Sequence, residues 1–297
     1  MFETPAIKEK LPARIAISGP GGAGKTMSAL RIARGVVGPN GKIGLLDTER
    51  RKAALYAKVA CGADGTPFFH EVIDPPYDPK RLTAFLIQAG KAGLDALIVD
   101  SLSPFWAGQG GLLEQKDAMD LRNEFGAWKH LTPVQTKLVD ALLDYPGHLI
   151  VTMRSKQEYA MTKDEKGKNQ VERLGMAPVQ REGMEFEFDV FMEMDLAHFA
   201  RVTKTRFDAL DGVTIERPGE RLGEQIVAWL NDGVERPPSR LADCKSVEHV
   251  KHWCESNVSR IAKADDAKVA ELREQFETKA ESLGLVAAEA LSWAGIK

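Results

Sequence analysis

Three short stretches carry residue types and spacings suited to handling phosphate. "GPGGAGKT" fits the pattern G-x-x-x-x-G-K-[ST], with Gly19, Pro20, Gly21, Gly22, Ala23 and Gly24 as the loop and Lys25 and Thr26 at its close. Glycines let successive backbone N–H groups turn inward around an anion, and a helix starting there adds its positive end. Lys25 is expected to reach the β- and γ-phosphates of ATP, and Thr26 to hold Mg²⁺ through its hydroxyl. "DALIVDSLSPFW" delivers Asp100 at the end of an apolar run, where a second Mg²⁺ ligand belongs. Many phosphate-loop ATPases place a glutamate directly after that aspartate, but here Ser101 follows. The general base must then come from elsewhere, and "KIGLLDTERR" offers Glu49 at the end of another apolar run. Asp47 is the second candidate, and it is equally suited to capping a helix that begins near Arg50.

These residues need a scaffold that brings strand ends together. Ala13 to Ser18 reads as a strand and Lys25 to Val36 as a helix, so the loop lies between strand and helix as its chemistry requires. Ile43 to Leu46 predicts a second strand and "RKAALYAKVA" a second helix. Asp78 to Ala92 and Leu94 to Val99 repeat the helix-then-strand order. Thr132-Pro133 predicts a helix start running through Leu143, followed by a strand at Leu149 to Thr152. The alternation predicts an α/β fold with at least four parallel strands covered by helices. In such a sheet the ligand lies outside the carboxyl ends of the strands, which is the rim carrying Gly19, Glu49 and Asp100.

Beyond that core the pattern changes. Residues 154 to 183 form a long polar excursion that is locally basic through Lys163, Lys166, Lys168, Arg173 and Arg181, a candidate surface for nucleic-acid phosphates. Arg154 and Lys156 begin it, and Arg154 is placed to sense phosphate at the crevice. In "MEFEFDVFMEMD" apolar residues alternate with acids, which predicts one half-buried antiparallel strand with Glu185, Glu187 and Asp189 on its wet face, and "HFARVTKTRF" reads as its neighbour. On that second strand Lys204 and Arg206 share a face and can present two cations to one anion. From Leu241 onward Val250, Trp253, Leu272, Phe276, Leu283 and Leu291 predict a small helical appendage. The expected organisation is a domain of residues 1–233, a linker at 234–239 and a helical region at 240–297.

Composition sets bounds. With 40 Lys and Arg against 43 Asp and Glu, the net charge of −3 advertises no global attraction to polyanions, so any nucleic-acid contact must be local. The 3 cysteines are widely spaced, which fits a reducing cytoplasm better than a disulfide framework. His249, His252 and Cys254 lack a convincing fourth metal ligand, and Trp106 and Trp128 read as core or interface residues. No segment approaches the length of a membrane span, so the expectation is a soluble cytoplasmic protein with no membrane partner.

The order of phosphate loop, "LLDTER" and "LIVDSLSPF" resembles the RecA-like ATPase core, over residues 11 to 232. The resemblance implies that Glu49 is the water-activating base and that the polar end of "LIVTMRSKQEY" senses the γ-phosphate. It further implies that the cations of "RVTKTRF" act across a subunit interface in a homo-oligomer with nucleotide between protomers. "TMRSKQEY", "PVQREGMEFEFDV" and "VTKTRF" are similar to phage RecA-like ATPases of single-strand annealing and recombination. That implies a Mg²⁺-dependent ATP hydrolase working on single-stranded DNA, with a single-strand DNA-binding protein as a further partner, in the host cytoplasm if phage-encoded. Two alternatives stay open: a nucleotide or small-molecule kinase, with residues 154 to 183 as its lid, and an ATP-dependent assembly scaffold with little turnover.

Overall fold

In the computed structural model, residues 8–119, 124–163, 169–233, 241–262 and 265–296 are described. They fall into two compact units: Pro12–Leu230, and the described residues of Met1–Leu11 together with those of Asn231–Lys297. The expected linker at 234–239 lies outside the described residues.

The larger unit begins with β1 (Arg14–Gly19), α1 (Lys25–Val37), β2 (Ile43–Asp47), β3 (Phe69–Val72), α2 (Pro79–Ala89) and β4 (Ala96–Asp100). Then come α3 (Ser103–Ala107), α4 (Leu112–Asp117), α5 (Glu124–Leu143), β5 (His148–Lys163) and β6 (Asn169–Pro178). β7 (Val190–Met194), β8 (Phe199–Thr205), β9 (Thr214–Glu216) and α6 (Glu220–Asn231) complete it. The sheet order is β3-β2-β4-β5-β1-β7-β8-β9, with β6 paired to the outer part of β5. β3 through β7 in that order are parallel, and β8 and β9 continue antiparallel.

The central strands are apolar on both faces because helices cover both. Ile15, Ile17, Ile43, Leu45 and Ile98 pack with α1 and α6, while Ala16, Leu46, Leu97 and Val99 pack with α2 and α5. α1 and α6 approach so closely that a Cβ on Gly35 would stand 1.9 Å from the Glu220 carbonyl, so glycine there sets the contact between the helices.

Four local expectations are corrected. "RKAALYAKVA" gives only a 3-10 turn at Lys52–Tyr56, because Arg50 and Arg51 are both left-handed (φ 58° and 65°) and the Asp47 carboxylate takes the Ala53 N–H at 2.9 Å. α5 begins before Thr132-Pro133 and carries Pro133 inside it. Pro133 and Lys129, four residues before it, are both exposed, so the carbonyl that loses its N–H partner lies on the solvent side. Residues 184 to 194 are not one strand: Met184–Glu187 is a 3-10 turn entered from left-handed Gly183, and only Val190–Met194 joins the sheet. Phe186 is accordingly 64% exposed, and Asp189 is held rather than solvated, accepting from Arg14 N at 3.1 Å. The excursion also has regular structure, since β5 runs on to Lys163 and pairs with β6 as an antiparallel hairpin from Ser155↔Pro178 to Lys163↔Asn169. Lys166 and Lys168 lie outside the described residues.

Trp106 and Trp128 stack on each other at 5.6 Å, with Arg181 5.7 Å from the Trp128 ring centroid. The smaller unit contains α7 (Val247–Ile261), α8 (Asp266–Leu283) and α9 (Ala287–Trp293) around Val250, Trp253, Leu272, Phe276 and Leu291. Cys254 belongs to that core, where burial pushes its thiol up to about 12, and His252 turns to Glu255 at 3.4 Å. Among the described residues no helix is long and apolar enough to cross a membrane.

Candidate nucleotide site

The loop between β1 and α1 turns on glycines. Gly22 and Gly24 have φ of 89° and 91°, a region that L side chains seldom adopt. α1 starts directly after Gly24, aiming its N-terminal N–H groups back at the loop. Lys25 Nζ donates to the carbonyls of Gly19 and Pro20 at 2.9 Å each, which holds the ammonium inside the loop's mouth. Burial lowers the Lys25 pKa, while Asp100 and Glu49 pull it back up.

Thr26 and Asp100 meet as their spacing predicts, with Thr26 Oγ1 donating to Asp100 Oδ2 at 2.6 Å. The other carboxylate oxygen accepts from Thr152 on β5. Sequence reasoning missed Thr152, because a threonine inside "LIVTM" looks like any β-branched strand residue. Burial raises the Asp100 pKa, the threonine bonds oppose that, and Glu49 and Asp47 add to it. A hydroxyl and a carboxylate within 2.6 Å form a hard-oxygen donor set that fits Mg²⁺, so Thr26 and Asp100 are the residues that would hold it.

Asp47 and Asp100 are register partners at the ends of β2 and β4. Thr48 clamps the two ends: its N–H donates to the Asp100 carbonyl at 2.8 Å, and its hydroxyl both accepts from Ser101 N (2.8 Å) and donates to Ser101 O (3.0 Å). The two acids of "DTE" then diverge. Asp47 is fully buried, accepting from Glu49 N and Ala53 N and facing His70 Nε2 at 3.1 Å, so it caps the turn after β2. Glu49 points into an open cleft of about 920 Å³ that also takes in Gly21, Lys25, Thr26 and Asp100. Arg154 comes from β5 and donates to Glu49 Oε1 through both Nε (3.0 Å) and Nη2 (2.9 Å). Among the described residues Oε2 has no partner.

A family model described as "AAA domain" matches residues 11–216, more than half of the chain, including the phosphate loop, Glu49, Asp100 and Arg154. The chain belongs to the AAA domain family. The AAA domain is a nucleotide-dependent P-loop ATPase, and the matched range includes the loop, Lys25 and Thr26. A comparison with curated proteins returns no match.

The AAA domain brings Gly19 to Thr26, Glu49, Asp100 and Arg154 to one rim, but not Lys204 and Arg206. Lys204 pairs with Phe191, and Arg206 N donates to the Asp189 carbonyl. Val190 in turn pairs with Ile15, so both cations stand at the amino end of β1, about 13 Å from this chain's own loop at ~3.3 Å per strand residue. Lys204 Nζ donates to the Phe188 carbonyl and Arg206 Nε lies 3.3 Å from Asp189 Oδ1. Burial lowers the Lys204 pKa, with Arg206 adding to the effect. In their place the cleft wall holds His198 and, one residue beyond the matched range, Arg217, two residues with no spacing relation to the loop motif.

Proposed function

We propose that the protein is a Mg²⁺-dependent ATP hydrolase of the RecA-like kind that works on single-stranded DNA in phage recombination or strand annealing. The observation that carries the reading is one cleft shared by the phosphate loop, the Thr26–Asp100 pair and the unpartnered Oε2 of Glu49. Loop N–H groups and Lys25 neutralise the β- and γ-phosphates. Bound Mg²⁺ would supply further charge neutralisation at the phosphates. Glu49 accepts a hydrogen bond from the attacking water and orients it, while Arg154 anchors the carboxylate through Oε1 and leaves Oε2 for that water. Phosphate transfer to an added acceptor rather than to water would favour the kinase alternative.

Single-stranded DNA is taken by the basic hairpin of β5 and β6, which continues from the strand that carries Arg154, so DNA bound there can bias the Glu49–Arg154 pair. Lys204 and Arg206 serve a neighbouring protomer's γ-phosphate in a homo-oligomer. Residues 1–233 form the ATPase part, joined by the linker 234–239 to the helical region of 240–297, and a single-strand DNA-binding protein is a further partner of the protein.

The deciding experiment measures phosphate release by wild type and Lys25→Ala with no nucleic acid, single-stranded DNA, double-stranded DNA and RNA, at stated salt. Turnover that depends on Lys25 and rises with single-stranded DNA supports the proposal. Turnover indifferent to all three nucleic acids would reject the DNA part, and none under any condition would favour the scaffold alternative.

A further inference from the structure

Glu49, Asp100 and Arg154 lie on the β4/β5/β2 side of the phosphate loop, so the γ-phosphate end of a bound triphosphate points that way. The rest of the nucleotide must leave toward the opposite side of β1, where the wall is built from the β7–β8 turn and the segment between β9 and α6. That wall presents Met194, His198, Arg217 and Pro218, with Met27 and Arg31 of α1 below.

Three observations single out His198 and Arg217. Both are non-glycine residues with positive φ, 68° and 47°, a conformation that costs energy and is kept where surrounding contacts fix it. They are tied to each other, since Arg217 N donates to the His198 carbonyl at 2.8 Å. His198 is in turn tied to the loop: its Nδ1 lies 3.0 Å from the Ala23 carbonyl, which can only accept, so Nδ1 carries the hydrogen. The imidazole also fills the space over Gly24, where a Cβ would stand 3.2 Å from Nδ1.

The neighbouring cation of this wall is engaged. Arg31 makes a bidentate pair with Glu220, with Nε 3.0 and 2.9 Å from its two oxygens. The Arg217 guanidinium, by contrast, is exposed at the cleft and has no hydrogen bond or ion pair among the described residues. We propose that Arg217 contacts the α-phosphate of the bound nucleotide, with His198 as the positioning residue that ties Arg217's backbone to the phosphate loop. The inference rests on the loop being the nucleotide site and adds the ligand contact on its far wall. An arginine fork suits this place, because its donors can grip two phosphate oxygens at once.

The test is calorimetric titration of Mg-ATP and Mg-ADP into wild type, Arg217→Gly, Arg217→Lys and Lys25→Ala. Glycine accepts a φ of 47° more readily than arginine, so the first variant removes the cation without straining the fold. Arg217→Gly should weaken ATP and ADP alike by about ten- to a hundredfold, the range of a charge-assisted hydrogen bond. Arg217→Lys should recover part of that loss. In turnover assays the effect should fall on KM rather than kcat, because the contact is the same before and at the transition state. Unchanged affinity for both nucleotides would overturn the proposal, and so would a loss confined to ATP, which would put Arg217 at the γ-phosphate instead. If Lys25→Ala also binds normally, the loop is not the nucleotide site and the underlying reading fails with it. Loss in Lys25→Ala alone rejects only the role of Arg217.

Discussion

Replacing Glu49 by Gln separates its two roles, as a partner for Arg154 and as a base. The amide keeps the shape and can still accept at Oε1, so the structural loss is that of one ion pair. Its side chains are 54% (Arg154) and 28% (Glu49) exposed, and pairs of that kind contribute at most about 1 kcal/mol. A melting shift of no more than ~2–4 °C is expected for a chain of this size. General-base catalysis contributes about 10²- to 10⁴-fold, or roughly 3–5 kcal/mol of transition-state stabilisation. Phosphate release should therefore fall at least about a hundredfold while calorimetry finds ATP bound with near wild-type affinity. Wild-type turnover with ordinary Mg²⁺ dependence would refute the assignment. Asp47→Asn is the control: with Asp47 buried and bonded to Ala53 N and His70, this change should cost about 1–3 kcal/mol of stability. Loss of turnover in Asp47→Asn alone, with the fold intact, would move the base two residues upstream.

His148 predicts an acid limit to stability. Burial lowers its pKa to about 4, Arg14 adds to the shift, and Nδ1 accepts from Ala13 N at 3.0 Å, so the folded state keeps it neutral. The folded value lies below the unfolded one of ~6.5, so this contribution is present above pH ~6.5 and lost as pH falls toward 4, with about 2 kcal/mol gone by pH 5. Urea titrations at pH 7 and pH 5 should show that loss in wild type and a smaller one in His148→Gln; equal losses would exonerate the histidine. Neutralising Lys163, Lys166 and Lys168 together should weaken single-strand binding and flatten the log–log salt slope by roughly 2, at ~0.7 per phosphate contact, without abolishing ATP binding. An unchanged salt series would leave that segment merely solvated. Arg206→Ala should lose hydrolysis yet keep ATP affinity, by about a thousandfold for a finger acting in trans. Mixing it with Glu49→Gln should regain activity in interfaces that pair the two intact residues, and no recovery in confirmed mixed oligomers would reject the role.

Residue patterns made the centre of the fold legible, and they failed where a single distant contact decides. β1, β2 and β4 are buried on both faces and α1 on the face toward the sheet, so their apolar patterns and the motifs at their ends leave little choice. The turn after β2 is different. Its sequence favours helix, but the Asp47 carboxylate captures Ala53 N and holds the chain in left-handed residues, a tertiary bond that no periodicity registers. In the same way the alternation of residues 184 to 188 is an accident of composition, broken by a glycine turn and the anchoring of Asp189 to Arg14. At the site, loop and acids were legible because each sits at the end of an apolar strand. Thr152 was hidden by its strand-like neighbours, and His198 and Arg217 reach the cleft only through the β7–β8 turn and the segment after β9.

The turn after β2 explains why two acids two positions apart have different fates. Asp47 ends β2 beside Asp100, whose pKa it helps to raise, but its carboxylate is not free to join the Thr26–Asp100 pair. Its side chain is instead consumed by the Glu49 and Ala53 N–H groups, which turns the chain out of the sheet immediately after Thr48. Thr48 then fixes the height of that exit by clamping Ser101. Glu49 is thus the first residue free of the sheet and still held against its rim. Glu49 N donates to Asp47 Oδ1, so the buried acid also orients the backbone of the exposed one. An insertion or deletion between Asp47 and Glu49 should therefore remove the base from the cleft even with both acids retained.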